Sequence, residues 1–387
     1  MPQLAARPVA PEHQHEEALI EEARRLRRRR WAIGSAVVAL VCLIAGLLIA
    51  ILSTSPKASL GAGRSKSDAP PAGPLTALHL AGALAVSHTG ELYVTDTPLN
   101  RTDPQKLDPD RVIVRLADGR FRLVVSGLPY ISDLAVAPNG ALYIADAGWV
   151  REVGHDGVVH TIAGNGHAPP FSRRTGPLPL TAGTPALDAP LGSIGSLQKS
   201  GSPLHIAFSP AGQLYISNGV QVLRLTRGIL EPVTATVAPA HGLPGGPLNG
   251  IGSIAVAANR TIYVGGDMRG WSLWAIEPNG TARYLAFARQ SGGGTVDVEP
   301  GPRGTVYAAN GDGIRHIKNG RTQTVFEFNH GIHREYFELT NFAIAPDGVT
   351  YADEIPGGYG FEAHQQLVSV NNHHVTLLWQ EKNRVPR

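Results

Sequence analysis

Residues 135–146 read Ala135-Val136-Ala137-Pro138-Asn139-Gly140-Ala141-Leu142-Tyr143-Ile144-Ala145-Asp146. Two short apolar runs flank a turn whose glycine supplies the φ > 0 position that a tight hairpin needs. The phrase recurs. Its tyrosine returns as Tyr93, Tyr143, Tyr215, Tyr263, Tyr307 and Tyr351, at spacings of 50, 72, 48, 44 and 44. Three residues before each tyrosine stands Gly90, Gly140, Gly212, Arg260, Gly304 or Gly348, so five of six repeats keep the turn glycine at one offset. Before each turn comes a short strand: Ala85-Val86, Ala135-Val136, Ala207-Phe208, Ala255-Val256, Val296-Asp297-Val298 and Ala343-Ile344. Arg260 departs from the glycine pattern, and Gly301-Pro302-Arg303 reads as a lengthened turn in the fifth repeat.

A second hairpin follows each tyrosine strand, at residues 111–125, 150–162, 220–233, 272–285, 313–326 and 366–379. Each repeat therefore predicts four antiparallel strands. Six such units, each unable to bury both faces alone, predict an all-β, six-bladed β-propeller, with seven blades as the alternative. The stretch Leu75–Leu80 is a candidate closing strand for the last blade.

The 135–146 phrase, together with Thr161-Ile162-Ala163-Gly164-Asn165-Gly166 and Gly183-Thr184-Pro185-Ala186-Leu187-Asp188-Ala189-Pro190-Leu191, resembles NHL-repeat propellers over about residues 80–380. The resemblance implies fold more than function, because one propeller architecture hosts many activities.

Antiparallel pairing places the end of each tyrosine strand beside the start of the strand before it. Three residues after the tyrosines stand Asp96, Asp146, Asn218, Gly266, Asn310 and Glu354. Two residues before the first-strand alanines stand Ala83, Asp133, His205, Ser253 and Asn341, with Thr295 assigned to the fifth repeat by strand parity. Both sets are expected around one mouth of the central channel. The recurrent post-tyrosine set suits strand-end capping as well as ligand binding; the uneven set of Asp133, His205 and Asn341 suits a site. Oxygen donors would accept a divalent cation such as calcium, although no cofactor is required. The positions are similar to those of gluconolactonase-type propellers. That resemblance would make Asp133 an acid or base and Asn341 a metal ligand, but Ala83 stands where a ligand glutamate would be wanted.

Residues 164–203 form an insertion between the second and third repeats, dense in Gly, Pro and Ser. It is expected to cross the mouth and to offer Phe171, Arg173 and Arg174 to a ligand, and its replacement is expected to leave the blades folded. His330 with His333, and His373 with His374, have metal-like spacing in loop and turn contexts that favour solvated histidines.

The net charge of +3 is uneven: Arg24, Arg25 and Arg27 to Arg30 hold six positive charges, leaving the remainder at −3. The repeats thus lack the basic footprint of a nucleic-acid binder. Trp31–Leu52 is an uncharged run of 22 residues, about 33 Å as a helix against a bilayer core of about 30 Å. The single cysteine, Cys42, lies within it, so no intrachain disulfide can form. The sequence is therefore divided into a basic cytoplasmic tail (1–30), a transmembrane helix (31–52), a flexible stalk (53–74) and the propeller (75–387). A cleavable signal peptide is the competing reading of the apolar run. The abundance of Ala, Gly, Arg and Pro suggests a high-GC bacterium. The leading function is a binding or sensor module for a protein or envelope glycan; the rival is a metal-dependent lactonase or related hydrolase. Positive charge is retained inside, which places the propeller outside the cytoplasm. A reporter enzyme active only outside the cytoplasm and fused at Arg387 should be active; an inactive fusion would reverse the orientation.

Overall fold

The computed structural model describes residues 74–75, 78, 81–97, 109–116, 118–154, 156–172, 176–192, 204–219, 221–233, 236–237, 246–247, 251–267, 270–285, 297–310, 313–318, 321–327, 338–355, 365–371 and 374–380. Residues 1–73, with the expected tail, membrane helix and nearly all of the stalk, lie outside the described residues. Among the described residues no helix is long and apolar enough to cross a membrane.

Six antiparallel sheets of four successive strands form the blades. Blade one comprises Ala81–Val86, Leu92–Asp96, Asp110–Arg115 and Phe121–Leu128; blade two Ile131–Val136, Leu142–Asp146, Trp149–Val153 and Val159–Ala163. Blade three comprises His205–Phe208, Leu214–Ser217, Val222–Thr226 and Ile229–Val233; blade four Ser253–Val256, Ile262–Asp267, Gly270–Ile276 and Thr281–Leu285. Blade five comprises Asp297–Pro300, Val306–Asn310, Gly313–Lys318 and Arg321–Glu327; blade six Glu338–Ile344, Thr350–Ile355, Gln366–Asn371 and His374–Gln380. The first strand of every blade touches the first strands of both neighbours, the sixth against the first, so the ring is closed.

Burial explains the composition of the strands. Inner strands are covered by a neighbour on each face, so Ser253–Val256 and Leu214–Ser217 are buried at every position. Such strands read as continuous apolar runs rather than as alternation. The outermost strand His374–Gln380 is largely exposed. Six apolar clusters fill the six gaps between blades: Ala83 and Ala85 meet Leu134 and Ile144 between the first two, and Phe326 meets Phe342 between the last two. Ala343 and Leu367 of blade six meet Leu84, Val94 and Ile113 of blade one.

The inner hairpins share one turn. In blade two Ala137 N–H donates to the Ala141 carbonyl and Gly140 N–H to the Ala137 carbonyl; Ser87 to Glu91, Ser209 to Gln213, Ala257 to Thr261 and Ala345 to Val349 repeat the first bond. The turn glycines lie at φ 90, 88, 80, 71 and 89°, and Arg260 adopts φ 67° in their place. The fifth turn is not lengthened. Gly301 N–H donates to the Thr305 carbonyl, and Glu299 pairs with Tyr307 as Ala85 pairs with Tyr93. The inner strand of blade five is therefore Asp297–Pro300, two residues later than Val296-Asp297-Val298 implied. Its proline is tolerated because the inner strand is a sheet edge facing the channel.

Two other expectations change. Pro74–Leu75 pairs with Phe121 and Arg122 on the outer strand of blade one, so it does not complete the last blade. Blade six draws all four of its strands from residues 338–380 and needs no other. The insertion after blade two contributes to the core through its described residues. Thr184–Pro185 pairs with Ile229–Leu230, adding a fifth strand to blade three. Ala186, Ala189 and Leu191 are buried with Ile206, Ile216 and Leu230. Gly164 and Asn165 donate to the carbonyls of Ala186 and Ala189, stitching the segment to blade two. A Gly/Ser replacement would remove these apolar side chains from the core between blades two and three, so the segment is more than a surface loop. A further addition comes from Thr236–Val237, which runs parallel to Thr281–Ala282 of blade four.

Leu191 is 3% exposed. Leu191→Ala should cost about 2–5 kcal/mol through lost burial and the cavity left behind, read as a lower thermal or denaturant midpoint. An unchanged midpoint would mean that the segment does not hold blades two and three together.

Candidate functional site

The inner edge of each blade has backbone N–H groups with no strand beside them, and unpaired groups of this kind need partners. The residues ten positions before each tyrosine supply some of them. Asp133 Oδ2 accepts Ile206 N–H at 2.8 Å from the next blade, and its Oδ1 accepts Leu134 N–H at 2.8 Å. Ser253 Oγ accepts Val298 N–H at 2.9 Å, again from the next blade. Asp297 Oδ1 shares that donor at 2.9 Å. These bonds tie inner strands together around the channel where sheet pairing is impossible.

With blade five in register, this level carries Ala83, Asp133, His205, Ser253, Asp297 and Asn341. Asp297 thus replaces the expected Thr295, which lies outside the described residues. His205 Nδ1 stands 3.4 Å from Asp133 Oδ2. Asn341 is half-buried at the same level, with its backbone paired to Asp353. Asp353 Oδ2 accepts the Gln365 Nε2 amide at 2.6 Å. Two residues further along the inner strands the level reads Ala85, Ala135, Ala207, Ala255, Glu299 and Ala343.

The electrostatics join residues from opposite sides of the ring. Burial pushes the Asp297 carboxyl up to about 6; His205 opposes the shift, and Asp133 adds to it. Glu299 is held well above the ordinary carboxylate range, first by burial and then by repulsion from Asp297 and Asp133. Three carboxyls from blades two and five therefore share one channel with one imidazole. Among the described residues no group of three His, Cys, Asp or Glu side chains is arranged to hold a metal ion.

The post-tyrosine residues have local partners. Asp146 accepts Arg151 Nε at 2.7 Å and Tyr130 N–H at 3.2 Å, while Asp96 accepts Arg111 Nε at 2.6 Å. Asn218 Oδ1 accepts Gln221 N–H at 3.0 Å. Glu354 pairs through its backbone with Leu339 and Gln366. Phe171 lies in a two-residue strand paired with Gly176–Pro177. The side chains of Phe171 and Glu354, together with Arg173, Arg174, His330, His333 and His373, lie outside the described residues. Sequence reasoning missed Asp110, whose carboxylate accepts Ile131 N–H at 2.7 Å and Thr97 Oγ1 at 2.6 Å and so links blade one to blade two. It also missed Asp297 and Glu299. The signal for both was present, since a constant offset of eight from tyrosine to alanine lands on Glu299.

The raised Asp297 carboxyl links stability to pH with a definite sign. Between about pH 4 and 6 the folded protein keeps a proton that the unfolded chain has lost, so Asp297 costs nothing in acid and destabilises as pH rises through 6. The full cost is about 3 kcal/mol. Asp297→Asn should therefore melt higher than the parent at about pH 7.5, with the gap closing towards about pH 4. A gap independent of pH in thermal denaturation would mean that Asp297 is not buried against its neighbours.

No family model matches this chain, and no curated protein matches it in sequence. Solved structures match it in architecture. The virginiamycin B lyase of Staphylococcus aureus is 12% identical over 81% of this chain and 89% of its own, with a TM-score of 0.44. A gluconolactonase of Xanthomonas campestris is 12% identical over 71% of this chain and 83% of its own, with a TM-score of 0.43. At that distance nothing of their chemistry carries over to this chain.

Proposed function

We propose that the chain is a membrane-anchored, extracytoplasmic binding module whose propeller takes a hydroxyl-rich envelope glycan at the channel level of Asp133, His205, Ser253, Asp297 and Asn341. The observation that carries this reading is chemical unevenness. Five blades place five polar side chains at one level, whereas five of the six residues at the next level are alanine. Bracing of the inner strands accounts for Asp133 and Ser253, but it does not account for His205 and Asn341. Carboxyl, imidazole, hydroxyl and amide groups together offer donors and acceptors, and a sugar hydroxyl is both. The arginines at 24–30 and the apolar run at 31–52 support the anchoring and the outward orientation.

A metal-dependent lactonase would need converging ligand side chains, and Ala83 stands at this level where a ligand glutamate would be wanted. The binding reading is therefore preferred. The test uses the full-length protein in nanodiscs, with fragments of envelope polysaccharide as probes. His205→Ala and Asn341→Ala should each weaken retention about tenfold or more while thermal midpoints stay close to the parent. Retention unaffected by either substitution would remove the site. Lactone hydrolysis that depends on Asp133 and an added divalent metal would favour the enzyme.

A further inference from the structure

The channel has a second end, on the side of the inner turns, and there the structure forms an open-mouthed cavity of about 630 Å³. Its size follows from the alanine level: Ala85, Ala135, Ala207 and Ala343 line the walls, where larger side chains would have filled the space. Phe208 and Ile344 add apolar surface, and Pro138, Pro210, Pro302 and Pro346 from four turns surround its opening. One acid, Glu299, lies among them.

Glu299 differs from the other acids of the channel. Asp133 and Asp297 each accept backbone N–H groups, whereas the Glu299 carboxyl accepts no hydrogen bond from any described residue. It is half-buried, and the space that it meets is the cavity. A partly buried acid without a partner is disfavoured in its ionised form. The groups facing it are Asp297 on its own strand and Asp133 across the ring, both acidic, with His205 beyond them at the level of Asp297. His88 and Arg303 lie at the opening and are exposed.

We propose that this cavity binds a small organic cation, an alkyl or cycloalkyl ammonium compound, with its apolar body against the alanine walls and its charge paired with Glu299. The volume lies within the usual range for small-molecule sites, and apolar walls with one polar group are their usual chemistry. A metal ion suits the cavity poorly, since a hard cation requires six or more oxygen ligands and the walls offer one carboxylate. A neutral apolar ligand would leave the Glu299 carboxyl without a partner. An ammonium group satisfies it and offsets the repulsion from Asp133 and Asp297.

Binding should also release a proton. Burial and its acidic neighbours push the Glu299 carboxyl well above the ordinary range, and an adjacent cation favours the ionised form. The experiment is calorimetric titration of cyclohexylmethylammonium into the full-length protein in neutral-lipid nanodiscs, with empty nanodiscs subtracted and cyclohexylmethanol as the uncharged control. The amine should bind about tenfold or more tighter than the alcohol. Its binding enthalpy should vary with the ionisation enthalpy of the buffer, which reports the released proton. Glu299→Gln should bring the two affinities together and abolish the buffer dependence. That variant removes a repelled acid, so its thermal midpoint should rise. Equal affinity for amine and alcohol in the parent protein would overturn the proposal, as would amine binding unchanged in Glu299→Gln. If that variant fails to fold, the comparison of amine and alcohol in the parent decides alone.

Discussion

Every blade of this protein has two apolar faces and can bury neither by itself. That constraint governs most of what the sequence does. Closing six sheets into a ring gives each face a neighbour, and the six clusters between blades are the core. Closure has a geometric cost at the centre, where six edge strands meet with backbone donors pointing at one another's side chains rather than at a seventh strand. Asp133 and Ser253 answer that cost by reaching across to Ile206 and Val298. The polar residues of the channel are therefore structural before they are anything else, and any ligand must work with groups already partly committed.

Much of the fold was legible because a repeat turns one local rule into six observations. The tyrosine with a glycine three residues before it marks the same turn in each blade, and Arg260 at φ 67° shows how firmly the ring imposes that turn on a residue ill suited to it. What misled was residue type. Pro300, Gly301 and Pro302 look like a loop, so blade five was read two residues too early, although the tyrosine offset placed it correctly. The insertion misled for the same reason. Its prolines and glycines concealed Ala186, Ala189 and Leu191, which are buried by a tertiary contact that no local period announces.

The candidate site was legible only in part. Asp133, His205 and Asn341 stood out as polar residues in apolar runs, and the fold brings Asp133 and His205 within 3.4 Å. Asp297 and Glu299 went unseen because of the slip in blade five. Their importance lies in interactions across the ring, which one strand read alone cannot show. Asp297 is influenced by His205 and Asp133, which sit far away in sequence. The result is an asymmetric charge distribution inside a nearly sixfold scaffold, with acids on blades two and five and alanine at the corresponding level of blade one.

Blade six takes its four strands from one continuous stretch, as does every other blade, and it meets blade one through side chains such as Leu367 and Leu84. Rings that share a strand between first and last blades are latched at that joint. Among the described residues this one shares no strand there: the joint between blades six and one is made of side-chain packing and the bond from the Gln365 amide to the Ala81 carbonyl. Topologically, the ring has no fixed starting point. The order of blades could be rotated, with the ends joined and a new opening made between any two neighbours, without dividing a sheet.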